Sequence, residues 1–174
     1  KEFDLLPRMI NGIVRKGNFD TRTVVTIWRG EAVGAATLKL HKLKANAPPV
    51  LEIVLFAIRS KYHGKGLGTV LTGALFEMGR RILCERVVLR AAPNAHGFWQ
   101  LVGYSDFVPA EKEKEILLHN NVEFNRGCIF MERLFTSPGV GPRQRVRAAL
   151  RKHQDTVSRV VDTITSVIWE PDLV

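Results

Sequence analysis

The chain has 174 residues, a formal net charge of +9 and 45% hydrophobic residues, enough to bury one good core and make one domain with an appendage rather than several domains. That charge points to an acidic partner, such as a phosphorylated cofactor, nucleic acid or a nucleosome-like surface, and says nothing of fold. The longest apolar run, Ile53 to Ile58, is far too short to span a bilayer, and Cys84 and Cys128 are too few for a disulfide framework, so a soluble intracellular chain with no membrane partner is expected.

Leu5, Leu6, Met9, Ile10, Ile13 and Val14 recur at helical spacing and predict a first helix, followed by the polar connection "RKGNFDTR". The β-rich runs "TVVTIW" and "VGAATLKLHKL" read as two strands joined through Arg29-Gly30-Glu31-Ala32, a hairpin with Gly30 at its turn. Pro48 and Pro49 in "KANAPP" cannot donate to a ladder and end the second strand. "LEIVLFAI" is then a mostly buried strand, and after a glycine loop a helix is predicted from about Thr69 to Leu83. Its apolar side carries Val70, Leu71, Ala74, Leu75, Met78 and Ile82. "RVVLRA" is the next strand, "NAHGFWQLVGY" a short helix closing on Gly103, and "GCIFMERLF" the last strand. This order predicts an α+β or mixed three-layer domain around a central sheet. The first residue is Lys1 rather than Met, which reads as a piece of a longer protein.

The glycine loop lies in "SKYHGKGLGTVLTG", Ser60 to Gly73, between a strand and a helix. Unpaired backbone amides and the positive end of a helix dipole converge in such a loop and favour an anion. A Walker A loop needs Gly-Lys followed by Ser or Thr, and here Gly64-Lys65 is followed by Gly66. A dinucleotide fingerprint needs its third glycine at position 69, which is Thr69. The tighter pattern Gly64-Lys65-Gly66-Leu67-Gly68 suits a pyrophosphate lying across successive amides, with a glycine-rich turn that holds nothing as the alternative.

"HGKGLG" before a helix resembles motif A of the GNAT superfamily of N-acetyltransferases, Q/R-x-x-G-x-G/A, with His63 where Gln or Arg is usual. "EIVLFAI" before it, "AHGFWQLVGY" and "RGCIFMERL" after it, and the earlier hairpin "GEAVGAATL" together resemble the transcriptional coactivator type of histone lysine acetyltransferase over roughly Val24 to Phe135. A narrower resemblance, to a kinetoplastid kinetochore acetyltransferase, is carried by no particular residue. The resemblance implies a mostly antiparallel central sheet flanked by helices and splayed between its two central strands, over residues 1–137. It implies acetyl-CoA as cosubstrate, a histone or other protein lysine as acceptor, and a nuclear setting.

The resemblance also implies roles. Transfer to lysine needs a neutral amine, whereas an exposed Lys has a pKa of about 10.4, so a general base is required. Glu52 lies in the otherwise apolar "VLEIVLFAI", where partial desolvation suits it to take the proton, directly or through a water. Read in isolation, Glu52 is better explained by a side chain facing solvent; the position that the resemblance aligns reverses that preference and makes it the base. The Phe56 N–H is implied as the oxyanion donor, and Ala57 and Ile58 as a strand edge for the pantetheine. His63, Gly64, Lys65, Gly66, Leu67, Gly68 and Thr69 would cradle the pyrophosphate, with the Lys65 side chain near phosphate or solvent, Phe98 and Trp99 would wall the thioester end, and Asn94 joins the cofactor contacts.

Two departures qualify this. Many small-molecule members carry a Tyr as general acid four residues before the closing glycine, where this chain has Trp99, and an indole cannot protonate a thiolate. "AEKEKEILLHNNVEFNR", Ala110 to Arg126, is longer than the family's stretch beside the substrate groove, so no peptide preference carries over.

Beyond the resemblance, Val146, Leu150, Val157, Val160, Val161, Ile164, Val167 and Ile168 recur at helical spacing, so residues 138–174 are expected to form a basic amphipathic helical extension. Arg143, Arg145, Arg147, Arg151 and Lys152 crowd its start without an intervening acid. The spacing favours a helix packed on the domain with its arginines solvated, and the cluster leaves open a nucleosome or complex contact. His41, His96, His119 and His153 share no metal-ligand spacing with the cysteines, and no metal is expected. Three functions remain: a lysine acetyltransferase acting on a histone tail, an acetyltransferase for a small amine, and a catalytically weak acetyltransferase fold serving as an interaction module.

Overall fold

The computed structural model describes residues 21–28, 30–43, 46–118 and 127–135; the expected first helix and the basic extension lie outside them. Period-two patterning produces strands β1 Thr21–Trp28 and β2 Glu31–His41, turned at Gly30 with φ +81°, a left-handed conformation glycine adopts without steric cost. They are followed by β3 Val50–Ile58, β4 Arg86–Ala91, β5 Ser105–Asp106 and β6 Ile129–Leu134. The helices are α1 Leu67–Arg81, α2 His96–Leu101 and α3 Glu111–Leu118. The six strands form one sheet in the order β1-β2-β3-β4-β6-β5, antiparallel except for the parallel pair β3–β4.

Helix α1 begins two residues before the predicted Thr69, because Gly66 at φ +80° turns the chain and the glycines permit entry at once. It ends at Arg81 rather than Leu83. The N–H of Leu83 bonds Arg80 C=O (3.2 Å) and that of Cys84 bonds Gly79 C=O (2.9 Å), with Leu83 at φ +57°. That is a Schellman stop with a leucine where glycine is usual. Gly103, φ +98°, closes α2 as expected. β5 and α3 escaped the sequence reading. β5 is two residues long and exists by pairing with β6, while α3, "EKEKEILL", is mostly charged and anchors through Leu117 at its far end.

Alternation along the strands sorts the core into two layers. Leu38, Leu51, Ile53, Val87, Leu89 and Met131 pack with Leu71, Ala74, Leu75 and Met78 of α1 and with Trp99 of α2. Val50, Val88 and Leu117 form a smaller cluster with Leu43, Phe107 and Phe130 on the α3 side. Leu38, Leu51 and Leu75 are fully buried, each contributing about 2–3 kcal/mol of apolar transfer.

Two features of β3 set up the site. Its pairing with β4 stops at Ile53↔Leu89, although β3 continues to Ile58, so the two central strands part. Against β2 the register passes from Leu38↔Ile53 to Thr37↔Leu55, which leaves Val54 as an extra residue, a bulge. A bulge reverses facing. Glu52 therefore shares the α3 side with Val50 and Val88, while Phe56, four residues on, packs on the α1 side.

Candidate functional site

Where β3 and β4 part, a groove of about 750 Å³ opens. Phe56, Ala57 and Ile58 of β3 line one side, Asn94, Ala95, Phe98 and Leu101 the other, and Tyr62, His63, Gly64, Gly66, Leu67, Gly68 and Thr69 one end. The backbone of β3 offers hydrogen-bonding groups to it. The Arg59 N–H donates to Val33 C=O (2.9 Å), which makes 59↔33 a bonded pair of the antiparallel ladder. By alternation the amides of Ile58 and Phe56 then point away from β2, toward the parting. The Ile58 C=O accepts from His63 Nε2 at 2.7 Å, which agrees with that direction. Ala57 faces the other way, toward β2. Of the pair expected to present a strand edge, Ile58 does so through its backbone and Ala57 only lines the wall.

The loop end is built for an anion. No side chain caps α1, and its first helical bond is Val70 N–H to Gly66 C=O at 3.0 Å, so the amides of Leu67, Gly68 and Thr69 precede the ladder. A Cβ built on Gly64 or Gly66 would meet nothing within 4 Å, and both residues have positive φ. A Cβ on Gly68 would come within 3.3 Å of the Phe98 ring, so any larger residue there would press that ring back across the groove.

One expected contact is corrected. Trp99 does not wall the groove: it is 5% exposed and packs edge-on against Phe56, Phe98 and Tyr104, supporting the wall from within the core. The helical period puts neighbours Phe98 and Trp99 about 100° apart, so only one can face the groove. Lys65 is exposed and outside the lining, as its solvent alternative allows, with its ammonium 5.2 Å from the centre of the Tyr62 ring. Tyr62, Ala95 and Leu101 line the groove and were not foreseen, being one-sided neighbours of the motifs with no pattern of their own. Tyr104, next to the closing glycine, is buried, and desolvation pushes its hydroxyl above the usual phenol range.

Glu52 is absent from this lining. It is 3% exposed on the opposite side of the sheet, just before the bulge. Its Oε2 accepts from His41 Nε2 at 2.8 Å and its Oε1 from an Arg90 guanidinium nitrogen at 3.2 Å. The solvent-facing alternative for Glu52 is thereby excluded. The carboxylate thus lies on the α3 side of the sheet, whereas the Phe56 ring lies on the α1 side and its amide is directed into the parting. Among the described residues no group of three or more His, Cys, Asp or Glu comes together as a metal site.

The sequence matches the Acetyltransferase (GNAT) family over residues 6–104, more than half of the chain, and the protein belongs to that family. Among solved structures it is similar to Tetrahymena GCN5, with a TM-score of 0.57 and 17% identity over 76% of this chain and 77% of that one. It is also similar to a GNAT family acetyltransferase from Elizabethkingia anophelis with acetyl-CoA bound, with a TM-score of 0.55 and 14% identity over 76% and 85%. Arabidopsis thaliana Naa50, in complex with a bisubstrate analogue, gives a TM-score of 0.50 and 17% identity over 75% and 82%. At these identities the likeness is one of fold. No curated protein sequence matches.

Proposed function

We propose that the protein transfers an acetyl group from acetyl-CoA to the Nζ of a lysine in a protein, a histone tail being the first candidate, with Glu52 as general base. The groove's own chemistry supports the donor: free amides and a helix N-terminus at one end suit a pyrophosphate, and an unpaired strand edge at the other suits an amide-containing chain. Acetyl-CoA supplies the activated thioester when bound. The Phe56 N–H, aimed into the parting, is the donor for the oxyanion. Leu67, Gly68 and Thr69 amides hold the diphosphate, and Phe98 packs beside the reacting end.

The observation that carries the acceptor reading is the placement of Glu52. A buried carboxylate sits on the sheet face away from the groove, so the amine approaches from the α3 side, delivers a proton to Glu52 and attacks through the parting. The burial of Trp99, in the place where small-amine members carry a Tyr acid, argues in the same direction. A histone target implies a nuclear setting, and the cluster Arg143, Arg145, Arg147, Arg151 and Lys152 has the charge to suit an acidic partner.

Acetylation of mixed histones, read by mass spectrometry, tests the acceptor; turnover of small amines with unmodified histones would return the small-amine reading. Glu52→Gln tests the base. It should fold, bind acetyl-CoA as the parent does and lose about 100-fold or more in rate at neutral pH. An unchanged rate removes Glu52 from the mechanism.

A further inference from the structure

Outside the groove, the described residues hold one buried polar cluster whose members the reaction has not used: His41 and Arg90 around Glu52. His41 ends β2 and lies opposite Val50, while Glu52 lies opposite Lys39, so His41 and Glu52 are diagonal neighbours on one face of the sheet. Side chains of both are 4% exposed, and that of Arg90, on β4, is 9% exposed. Carboxylate oxygens only accept, so the His41 Nε2 in contact with Oε2 carries the hydrogen. Arg90 occupies Oε1. A carboxylate offers about four lone-pair sites, and two neighbours take two of them, so a site remains on the carboxylate for an incoming proton.

A strap between β2 and β3 is not needed at this point. The backbone ladder already joins the strands from Gly34↔Ile58 to His41↔Val50. What the imidazole adds is orientation: with one donor on each oxygen, rotation of the carboxyl about its last bond would break two buried hydrogen bonds together. Lys39, Glu132, Arg86 and Glu113 also belong to this face, and Arg86 is engaged with Glu113 and Glu132, away from Glu52.

We propose that His41 is a positioning residue for acetyl transfer, its Nε2–H fixing the orientation in which Glu52 takes the proton from the acceptor amine. The inference rests on Glu52 being the base. In that step an N–H bond of the ammonium breaks, an O–H bond forms at Glu52, and the proton is released to solvent after transfer. His41 gains and loses no proton. Its requirement is for a donor at the Nε2 position, which the amide of glutamine can supply and leucine cannot.

The test compares His41→Leu, His41→Gln, Glu52→Gln and the double variant Glu52→Gln/His41→Leu. Each is assayed with acetyl-CoA and a lysine-containing histone-tail peptide, with acetyl-CoA binding measured by calorimetry. His41→Leu should lose tenfold or more in kcat with KM and acetyl-CoA affinity within about twofold of the parent, and His41→Gln should recover most of the rate. On the Glu52→Gln background His41→Leu should cost nothing further. Full activity in His41→Leu, equal losses in the leucine and glutamine variants, or an added loss in the double variant would overturn the proposal while leaving Glu52 as base. Parental activity in Glu52→Gln removes the base itself and the proposal with it. If His41→Leu does not fold, a His41→Gln variant as slow as Glu52→Gln overturns the proposal alone.

Discussion

Cys84 and Cys128 show how far neighbours alone set a side chain's chemistry. Cys84, 7% exposed beneath the end of α1, has its thiol pushed up to about 12 by desolvation. At pH 8 only about one molecule in ten thousand then carries the reactive thiolate there. Cys128 is half-buried, and although burial raises its pKa too, the nearby Arg90 charge opposes the rise. Iodoacetamide at pH 8 should therefore label native protein at Cys128 well ahead of Cys84, read by peptide mass spectrometry. Labelling of Cys84 first would show that the site opens to water. Glu52 is the converse case: one acid in an apolar strand, identical in sequence terms to a solvated one, becomes a buried partner of His41 and Arg90 only when three strands assemble.

Helix α1 is the element on which the groove depends, and its first turn offers a test that separates binding from folding. Substituting Gly66 would confound the two, because a side chain at φ +80° is strained whatever the ligand does. Thr69 is free of that difficulty. Thr69→Glu places a negative charge in the first turn, where the helix dipole gains about 0.3–1 kcal/mol from it, and in the same place repels a pyrophosphate. The melting temperature of the variant should equal or exceed that of the parent, while acetyl-CoA affinity falls tenfold or more. Equal thermal stabilisation of variant and parent by acetyl-CoA would reject the pyrophosphate assignment.

At the scale of the whole molecule, the net charge of +9 calls for an acidic partner, and the described domain engages many of its own cations, as in the pairs Lys61–Glu31, Arg80–Glu77 and Arg86–Glu132. The crowded arginines of the extension are the remaining local concentration in the sequence. If they hold an acidic partner, changing Arg145, Arg147 and Arg151 to Glu should leave turnover of a short peptide nearly intact. Nucleosome binding should weaken, with a shallower salt dependence than the parent's. Parental nucleosome affinity at two salt concentrations, with a lowered melting temperature, would instead mark a packed helix with solvated arginines.

The strands other than β5, the glycine loop and α1 were legible in the sequence because each is a local pattern: alternation, a turn glycine, a 3.6-residue period and a loop whose spacing excluded two other phosphate motifs. The residues from Phe56 to Phe98 could thus be named as a site from chain order and resemblance. Only the tertiary structure decided which of them meet. The bulge at Val54 shifts the register by one and so sends Glu52 and Phe56 to opposite faces of the sheet, a reversal that no period in "VLEIVLFAI" announces. Packing turned Trp99 inward and left Phe98 at the groove, and pairing with β6 made a strand of two exposed residues. Local propensity depends on neighbours in sequence, whereas a bulge, a buried ion pair and a side chain's facing depend on partners from other strands, as Thr37 and Leu38 are to Val54, and His41 and Arg90 to Glu52.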